Sequence, residues 1–252
     1  MAPPLTIMRV TAAVAPLHAD SGVASGQISQ YLAGATLALV GTRGEWRLVR
    51  GGDGYEGWMH RGYLTEGRPA AVAGRLSLGC VVRTPIGERR ALPLGARLGE
   101  DDVVEEGEWI AEGERASRFP ATADAITRSA LHFFRGTSYQ WGGVTPWGAD
   151  CSGFTQAIYA LHGVQLPRDA WQQAREGREA GRDPLALGEA DLLFFSDRTD
   201  HHVTHVGIAL GDGRMVHLAL GRGGYAVENL ANVDDSYVAT LRARFRCARR
   251  IL

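Results

Sequence analysis

The sequence predicts an α+β protein in which two small β modules precede a mixed domain, and three observations carry this. The texture of the chain changes near Phe119. Short alternating runs broken by glycine turns give way to a helical stripe, and strand-like runs return only later. Helices first and strands afterwards indicate α+β rather than alternating α/β architecture. The first part also echoes itself. Gly34-Ala35-Thr36-Leu37 recurs 61 positions later as Gly95-Ala96-Arg97-Leu98, and Gly44-Glu45-Trp46 recurs 63 positions later as Gly107-Glu108-Trp109. Repeats at such a period mark duplicated units. Finally, 33 glycines in 252 residues supply the turns that many short strands need.

The elements follow in order. Leu37-Ala38-Leu39-Val40 and Trp46-Arg47-Leu48-Val49 alternate as strands do, and Gly51-Gly52-Asp53-Gly54 turns the chain between such runs. Short strands with glycine turns predict small barrels. Thr65-Glu66-Gly67-Arg68-Pro69-Ala70 reads as a linker. The expected divisions are 1–67, 72–118 and 119–252. Ala121 to Phe134 reads as a helix with an apolar stripe of Ile126, Ala130, Leu131, Phe133 and Phe134, stopped by Gly136. A loop containing Tyr139-Gln140-Trp141-Gly142-Gly143 leads to a second helix. Phe154, Ile158 and Leu161 fall there at i, i+4 and i+7, and Gly163 can close it. Strands are expected at Asp191–Phe195, His205–Leu210 and Arg214–Leu220.

Composition narrows the function. Hydrophobic residues make up 45% and charged residues 22%, as in globular domains. A net charge of −1 gives no electrostatic footprint for nucleic acid or an anionic membrane. Cys80, Cys151 and Cys247 lie far apart, which argues against a thiolate zinc site and a disulfide scaffold, and fits a reducing compartment. Met1–Arg9 lacks a basic segment followed by an apolar core, so no secretion signal is expected, and no apolar run approaches a membrane span.

The chemistry centres on Cys151, in Gly148-Ala149-Asp150-Cys151-Ser152-Gly153-Phe154. It sits at a helix N-terminus, where unpaired N–H groups and the helix dipole favour negative charge. That environment predicts a lowered thiol pKa and a nucleophilic thiolate. The alternative is a buried structural thiol; small polar flanks favour the first reading. A base must take the proton and return it to the leaving group. His162 lies three turns down the helix and is expected to be exposed; His201 and His202 lie in a polar loop. His205 opens a strand with Gly207 and Ala209 on its own face, leaving room beside it. His217 lies in the next strand. A three-residue loop, Gly211-Asp212-Gly213, would pair Leu210 with Arg214 and Gly207 with His217, so both histidines share one face. His217 can then orient His205. Asp150 can cap the helix or pair a substrate ammonium. The Cys151 N–H and the Tyr139 hydroxyl are candidate oxyanion donors.

Asp150-Cys151-Ser152-Gly153-Phe154, Tyr139-x-Trp141-Gly142-Gly143, Leu166-Pro167-Arg168, Gly188-x-x-Asp191-Leu192-Leu193-Phe194-Phe195, His205-Val206-Gly207-Ile208 and His217 together resemble the NlpC/P60 cysteine peptidases, which share a papain-like core. The first β module resembles a bacterial SH3 domain through Ser29-Gln30-Tyr31-Leu32-x-Gly34, Gly44-Glu45-Trp46-x-x-Val49 and Asp53-Gly54-Tyr55-Glu56-Gly57-Trp58; the second does so through Gly107-Glu108-Trp109. With two SH3-like barrels ahead of it, the domain resembles the γ-D-glutamyl-L-diamino acid endopeptidases of murein peptide recycling. The resemblance implies Cys151 as nucleophile, His205 as base and His217 as the polar third member. It implies Asp150, Ser152, Tyr139 and Tyr55 as substrate-binding residues. The expected substrates are murein peptides with a free N-terminal L-Ala, in the cytoplasm, with no metal or organic cofactor. The family's acidic residue in the first module has no counterpart near Ser25–Ile28, where Gly26 and Gln27 stand. An amidase or acyltransferase with the same three residues, and a non-catalytic wall-peptide-binding protein, are the other readings.

Overall fold

The computed structural model describes residues 6–67 and 74–252, and the chain divides into two compact units, Met1–Arg115 and Ala116–Leu252. The N-terminal unit opens with seven strands: β1 (Ile7–Val10), β2 (Val14–His18), β3 (Gln27–Leu32), β4 (Thr36–Arg43), β5 (Trp46–Arg50), β6 (Glu56–His60) and β7 (Leu64–Glu66). They form one antiparallel sheet in the order β3-β2-β6-β5-β4-β1-β7. No pairing of β3 with β7 closes it into a barrel among the described residues. Alternation along β1 and β2 sends Met8, Val10, Ala15 and Leu17 inward to meet Leu37, Val49 and Met59. Thr65 and Glu66 belong to β7 instead of a linker, because Glu66 pairs with Met8 and Thr65 with Arg9; the Arg68–Ala70 part of that expected linker lies outside the described residues.

Three more strands, β8 (Arg75–Arg83), β9 (Arg89–Leu92) and β10 (Val103–Ala111), form a sheet in the order β10-β8-β9. Its core joins Cys80, Val82, Leu92, Ala96 and Leu98 to Ala33 from the first segment. The internal echo has a structural counterpart in one place. Gly34 and Gly95 both have left-handed backbones, with φ of 79° and 86°. Each donates its N–H back to a strand, to Val10 O and Ser77 O at 2.9 Å. Each delivers a following leucine, Leu37 or Leu98, into its core. The second echo does not correspond: Gly44-Glu45 turns a hairpin, whereas Gly107-Glu108-Trp109 lies within bulged β10.

After α1 (Arg115–Arg118), the C-terminal unit combines helices with a six-stranded antiparallel sheet. Its elements are α2 (Ala123–Phe133), the small hairpin β11 (Val144–Thr145) and β12 (Gly148–Ala149), α3 (Cys151–Leu161), α4 (Ala170–Gln173), β13 (Arg178–Gly181), β14 (Leu192–Phe195), β15 (His205–Gly211), β16 (Arg214–Ala219), β17 (Gly224–Asn229), α5 (Ser236–Ala243) and β18 (Phe245–Arg250). The strand order is β13-β18-β14-β15-β16-β17. Helix α2 starts where the Thr122 hydroxyl caps the Ala125 N–H, two residues later than the apolar stripe suggests. Helix α3 packs on β15 and β16, and α2 packs on α3. Val238 and Leu241 of α5 cover Leu193, Phe195, Ala209 and Met215 of the sheet. No described helix is long and apolar enough to cross a membrane.

His162 is buried, not exposed as its place at the helix end suggests. Its Nδ1 lies 2.7 Å from Pro120 O, its Nε2 lies 2.9 Å from Ser129 Oγ, and its ring meets the edge of Phe119. It ties the end of α3 to α2, and burial lowers its pKa.

Candidate active site

Cys151 is the first residue of α3, and Asp150 is its N-cap. The Asp150 Oδ1 accepts the Gly153 N–H at 2.7 Å, satisfying one of the donors a helix start leaves unpaired. Its Oδ2 accepts the Gly142 N–H at 2.8 Å, binding the preceding glycine loop to the helix start. The carboxylate, which the sequence suggests as a partner for a substrate ammonium, already has a cation within the protein. Arg168 meets it with two parallel hydrogen bonds, Nη1 to Oδ1 at 3.0 Å and Nη2 to Oδ2 at 2.7 Å. Arg168 also donates to Ser152 Oγ at 2.9 Å, and that hydroxyl donates to Asp150 Oδ1 at 3.3 Å. All three side chains are buried. The fork of a guanidinium matches a carboxylate in this way, and burial makes the pairing strict. The sequence contains Leu166-Pro167-Arg168 as part of a recognisable pattern, but nothing in it tells that Arg168 reaches back to Asp150.

Cys151 is 6% exposed. Burial, and then the neighbouring Asp150 charge, push its pKa up to about 12; the Val206 and Ser152 N–H groups and Arg168 pull the other way without prevailing. This corrects the expectation of a lowered value. The helix start does aim the Ser152 N–H at the sulfur, but desolvation outweighs it. The shift favours the neutral thiol at rest. Alkylation by iodoacetamide is therefore expected to climb with pH, with a slope of about one in log rate and no plateau below about pH 10. A rate that levels off between about pH 5 and 8 would instead reveal a thiolate–imidazolium pair.

Val206, whose N–H acts on the sulfur, directly follows His205 at the head of β15. His205 Nε2 lies 2.8 Å from His217 Nδ1, so the two histidines do share a face, by a route other than the one expected. The connection is a two-residue turn, Asp212-Gly213, with φ of 50° and 68°. Such a turn alone would put the histidines on opposite faces. Between Ala209 and Gly211 the ladder bulges, so that Gly211 and not Leu210 opposes Arg214. The extra residue restores the parity, and Ile208↔Val216 and Ala209↔Met215 hold the expected register. The space beside Gly207 is not left for substrate: a Cβ there would come 2.2 Å from Met215 Cε and 3.3 Å from His217 Cβ.

Burial, and then His217, hold the His205 pKa well below the usual histidine value. Burial thus favours the uncharged forms of Cys151 and His205 before reaction, and the His205 Nε2 is engaged by His217. Its Nδ1 is the nitrogen left to take a proton. Tyr139 bridges to Ala149 and donates its N–H to Gly223 O at 3.0 Å. Burial, followed by the negative charge that Cys151 and Asp150 carry when ionised, raises its hydroxyl pKa, so it stays a donor. Burial, and then the Glu228 charge, raise the pKa of Tyr237 of α5, whose ring lies 6.2 Å from that of His217. The sequence gives no sign of Tyr237 and Glu228, whose segments carry no pattern of their own, and it marks Arg168 without showing its partner. Tyr55 belongs to the N-terminal unit, where it packs on the Met8–Met59 core and its carbonyl accepts the Tyr31 hydroxyl at 3.1 Å. His201 and His202 are exposed loop residues. No group of three potential metal ligands occurs among the described residues.

This arrangement can be compared with known proteins. The NlpC/P60 family model matches residues 136–242. A γ-D-glutamyl-L-lysine dipeptidyl-peptidase of Bacillus subtilis (strain 168) is 29% identical over 248 residues, covering 87% of this chain and 80% of that protein. A probable endopeptidase NlpC of Escherichia coli (strain K12) is 36% identical over 107 residues, covering 40% of this chain and 68% of that one. A crystal structure of an NlpC/P60 family protein from Bacillus cereus ATCC 10987 superposes with a TM-score of 0.79 at 22% identity, over 98% of this chain and 99% of that one; at that identity it shows a shared fold.

Proposed function

The chain belongs to the NlpC/P60 family, and on that premise we propose that it is a cysteine endopeptidase. It hydrolyses the bond between γ-D-Glu and a diamino acid in murein-derived peptides that begin with a free L-Ala. One observation carries the reading: a thiol at the head of α3 meets the N–H of Val206, beside a hydrogen-bonded His205–His217 pair. The name of the Bacillus subtilis relative supports the bond class.

The neutral starting state shapes the reaction. His205 Nδ1 takes the thiol proton as sulfur attacks the γ-carbonyl carbon, so thiolate forms only as it is consumed. The oxyanion is held by the Cys151 N–H and the Tyr139 hydroxyl. Collapse breaks the C–N bond, and His205 gives its proton to the departing amine. Water, deprotonated by His205, then cleaves the thioester and regenerates the thiol.

The echoing segments of the N-terminal unit are read as two SH3-like modules, 1–67 and 72–118, ahead of a peptidase region, 119–252. A substrate needing a free amine is a released peptide, not one attached to glycan. That fits a recycling role in the cytoplasm. Mass spectrometry of products from L-Ala-γ-D-Glu-diaminopimelate, its lysine analogue, a glycan-linked stem peptide and an N-acylated amine tests the reading. The expected products are L-Ala-γ-D-Glu and the free diamino fragment, from the free peptides only. Cleavage confined to the glycan-linked or N-acylated substrates would overturn it.

A further inference from the structure

The pair of histidines ends on a carboxylate. His217 is fully buried, and its Nδ1 is engaged by His205. Its Nε2 makes no hydrogen bond among the described residues, yet Glu228 Oε1 from β17 faces it at 3.5 Å. Glu228 is buried too and cannot swing away, because Arg222 holds both its oxygens, Nε to Oε1 at 2.7 Å and Nη2 to Oε2 at 3.0 Å. Arg222 is fixed in turn by Asp235 Oδ2 at 2.6 Å and by stacking 4.3 Å above the Tyr237 ring.

The geometry points to Glu228 as a positioning residue that keeps the His217 proton on Nε2 and so sets the direction of the hydrogen bond to His205. A neutral imidazole carries one N–H. With that proton on Nε2, His217 Nδ1 is an acceptor. His205 must then donate from its own Nε2, which leaves its Nδ1 lone pair free for the thiol proton. The opposite tautomer of His217 would donate to His205 Nε2, force the His205 proton onto Nδ1 and remove the base. A buried Nε2–H needs an acceptor, and Glu228 supplies one that is negatively charged. That charge also favours the imidazolium that forms on His205 as the thiol is deprotonated. The resting separation is long, as catalytic hydrogen bonds often are before substrate binds. Burial raises the Glu228 pKa, but His217 and Arg222 more than offset this and keep the carboxyl below its usual value.

The charged and titratable groups around the His217 ring are His205 from β15, Glu228 from β17, Arg222 from the Leu220–Arg222 turn and Tyr237 from α5. The inference rests on the proposed Cys151–His205–His217 mechanism, but its first readout does not need activity. Long-range 1H–15N spectra of the labelled full chain, assigned with a His217→Gln variant, are expected to show the His217 proton on Nε2. Glu228→Gln is expected to populate Nδ1–H and to lower kcat on L-Ala-γ-D-Glu-diaminopimelate by about 10- to 100-fold, with KM changed less than about threefold. Loss of the negative charge is also expected to move the acid limb of kcat/KM to lower pH, and Glu228→Asp to restore part of kcat. A wild-type His217 protonated on Nδ1, or a Glu228→Gln protein with unchanged tautomer and kcat, overturns the inference. If Glu228→Gln fails to fold, the wild-type spectrum decides. An inactive chain with the expected tautomer would remove the peptidase reading and leave Glu228 in place. An active, Cys151-dependent chain with the wrong tautomer would do the reverse.

Discussion

Cys151→Ala is expected to lower kcat/KM on L-Ala-γ-D-Glu-diaminopimelate by on the order of 10⁴-fold or more, while peptide affinity and thermal unfolding stay near wild type. Removing the nucleophile of a covalent mechanism removes the step the other groups serve, so what survives comes from binding and oxyanion contacts. The side chain lost is small, which keeps the structural cost low. Steady-state kinetics, calorimetric titration of the uncleaved peptide and a thermal melt check the three parts separately. Activity within about tenfold of wild type would move the nucleophile elsewhere, and Cys247, half-buried in β18, would be the next thiol to test.

Arg168→Met is expected to have the largest effect on stability. Both partners of the Arg168–Asp150 pair are buried, with side-chain exposures of 1% and 9%. Removing the guanidinium leaves a buried carboxylate without its counter-charge, at a cost of about 3–5 kcal/mol. The Gly142 and Gly153 N–H groups still bond that carboxylate, which favours the lower end of the range. A drop in melting temperature on the order of 10 °C follows for a unit of this size. The double variant Asp150→Asn/Arg168→Met is expected to recover part of the loss, because it removes the stranded charge along with its partner. Urea unfolding of the full chain, followed through the amides of α3, measures both. A cost under about 1 kcal/mol for Arg168→Met would mean that the pair contributes little to holding the start of α3 in place.

The local features were legible because each is written in consecutive residues. The α3 stripe, its Asp150 cap, the Cys151 position at the first turn and the alternating strands around His205 and His217 all follow from spacing and residue type. Other elements left no such trace. Strand β18, Phe-Arg-Cys-Ala-Arg-Arg, has too much charge and too little alternation to read as a central strand, yet it lies between β13 and β14. The hairpin is the instructive case. Its turn has two residues where the pattern predicts three, and a bulge that no sequence pattern announces supplies the missing residue and preserves the pairing of the histidines.

The chain's one-dimensional pattern was enough to single out Cys151, His205 and His217 as candidates, since their placement depends on contacts within a few residues or across one hairpin. It could not state the charge on the sulfur, which depends on how much water the surrounding protein displaces; here desolvation outweighs the helix terminus. Nor could it assign partners to Asp150 and His217. Arg168 and Glu228 reach them from separate segments, and such meetings exist only once the chain has packed.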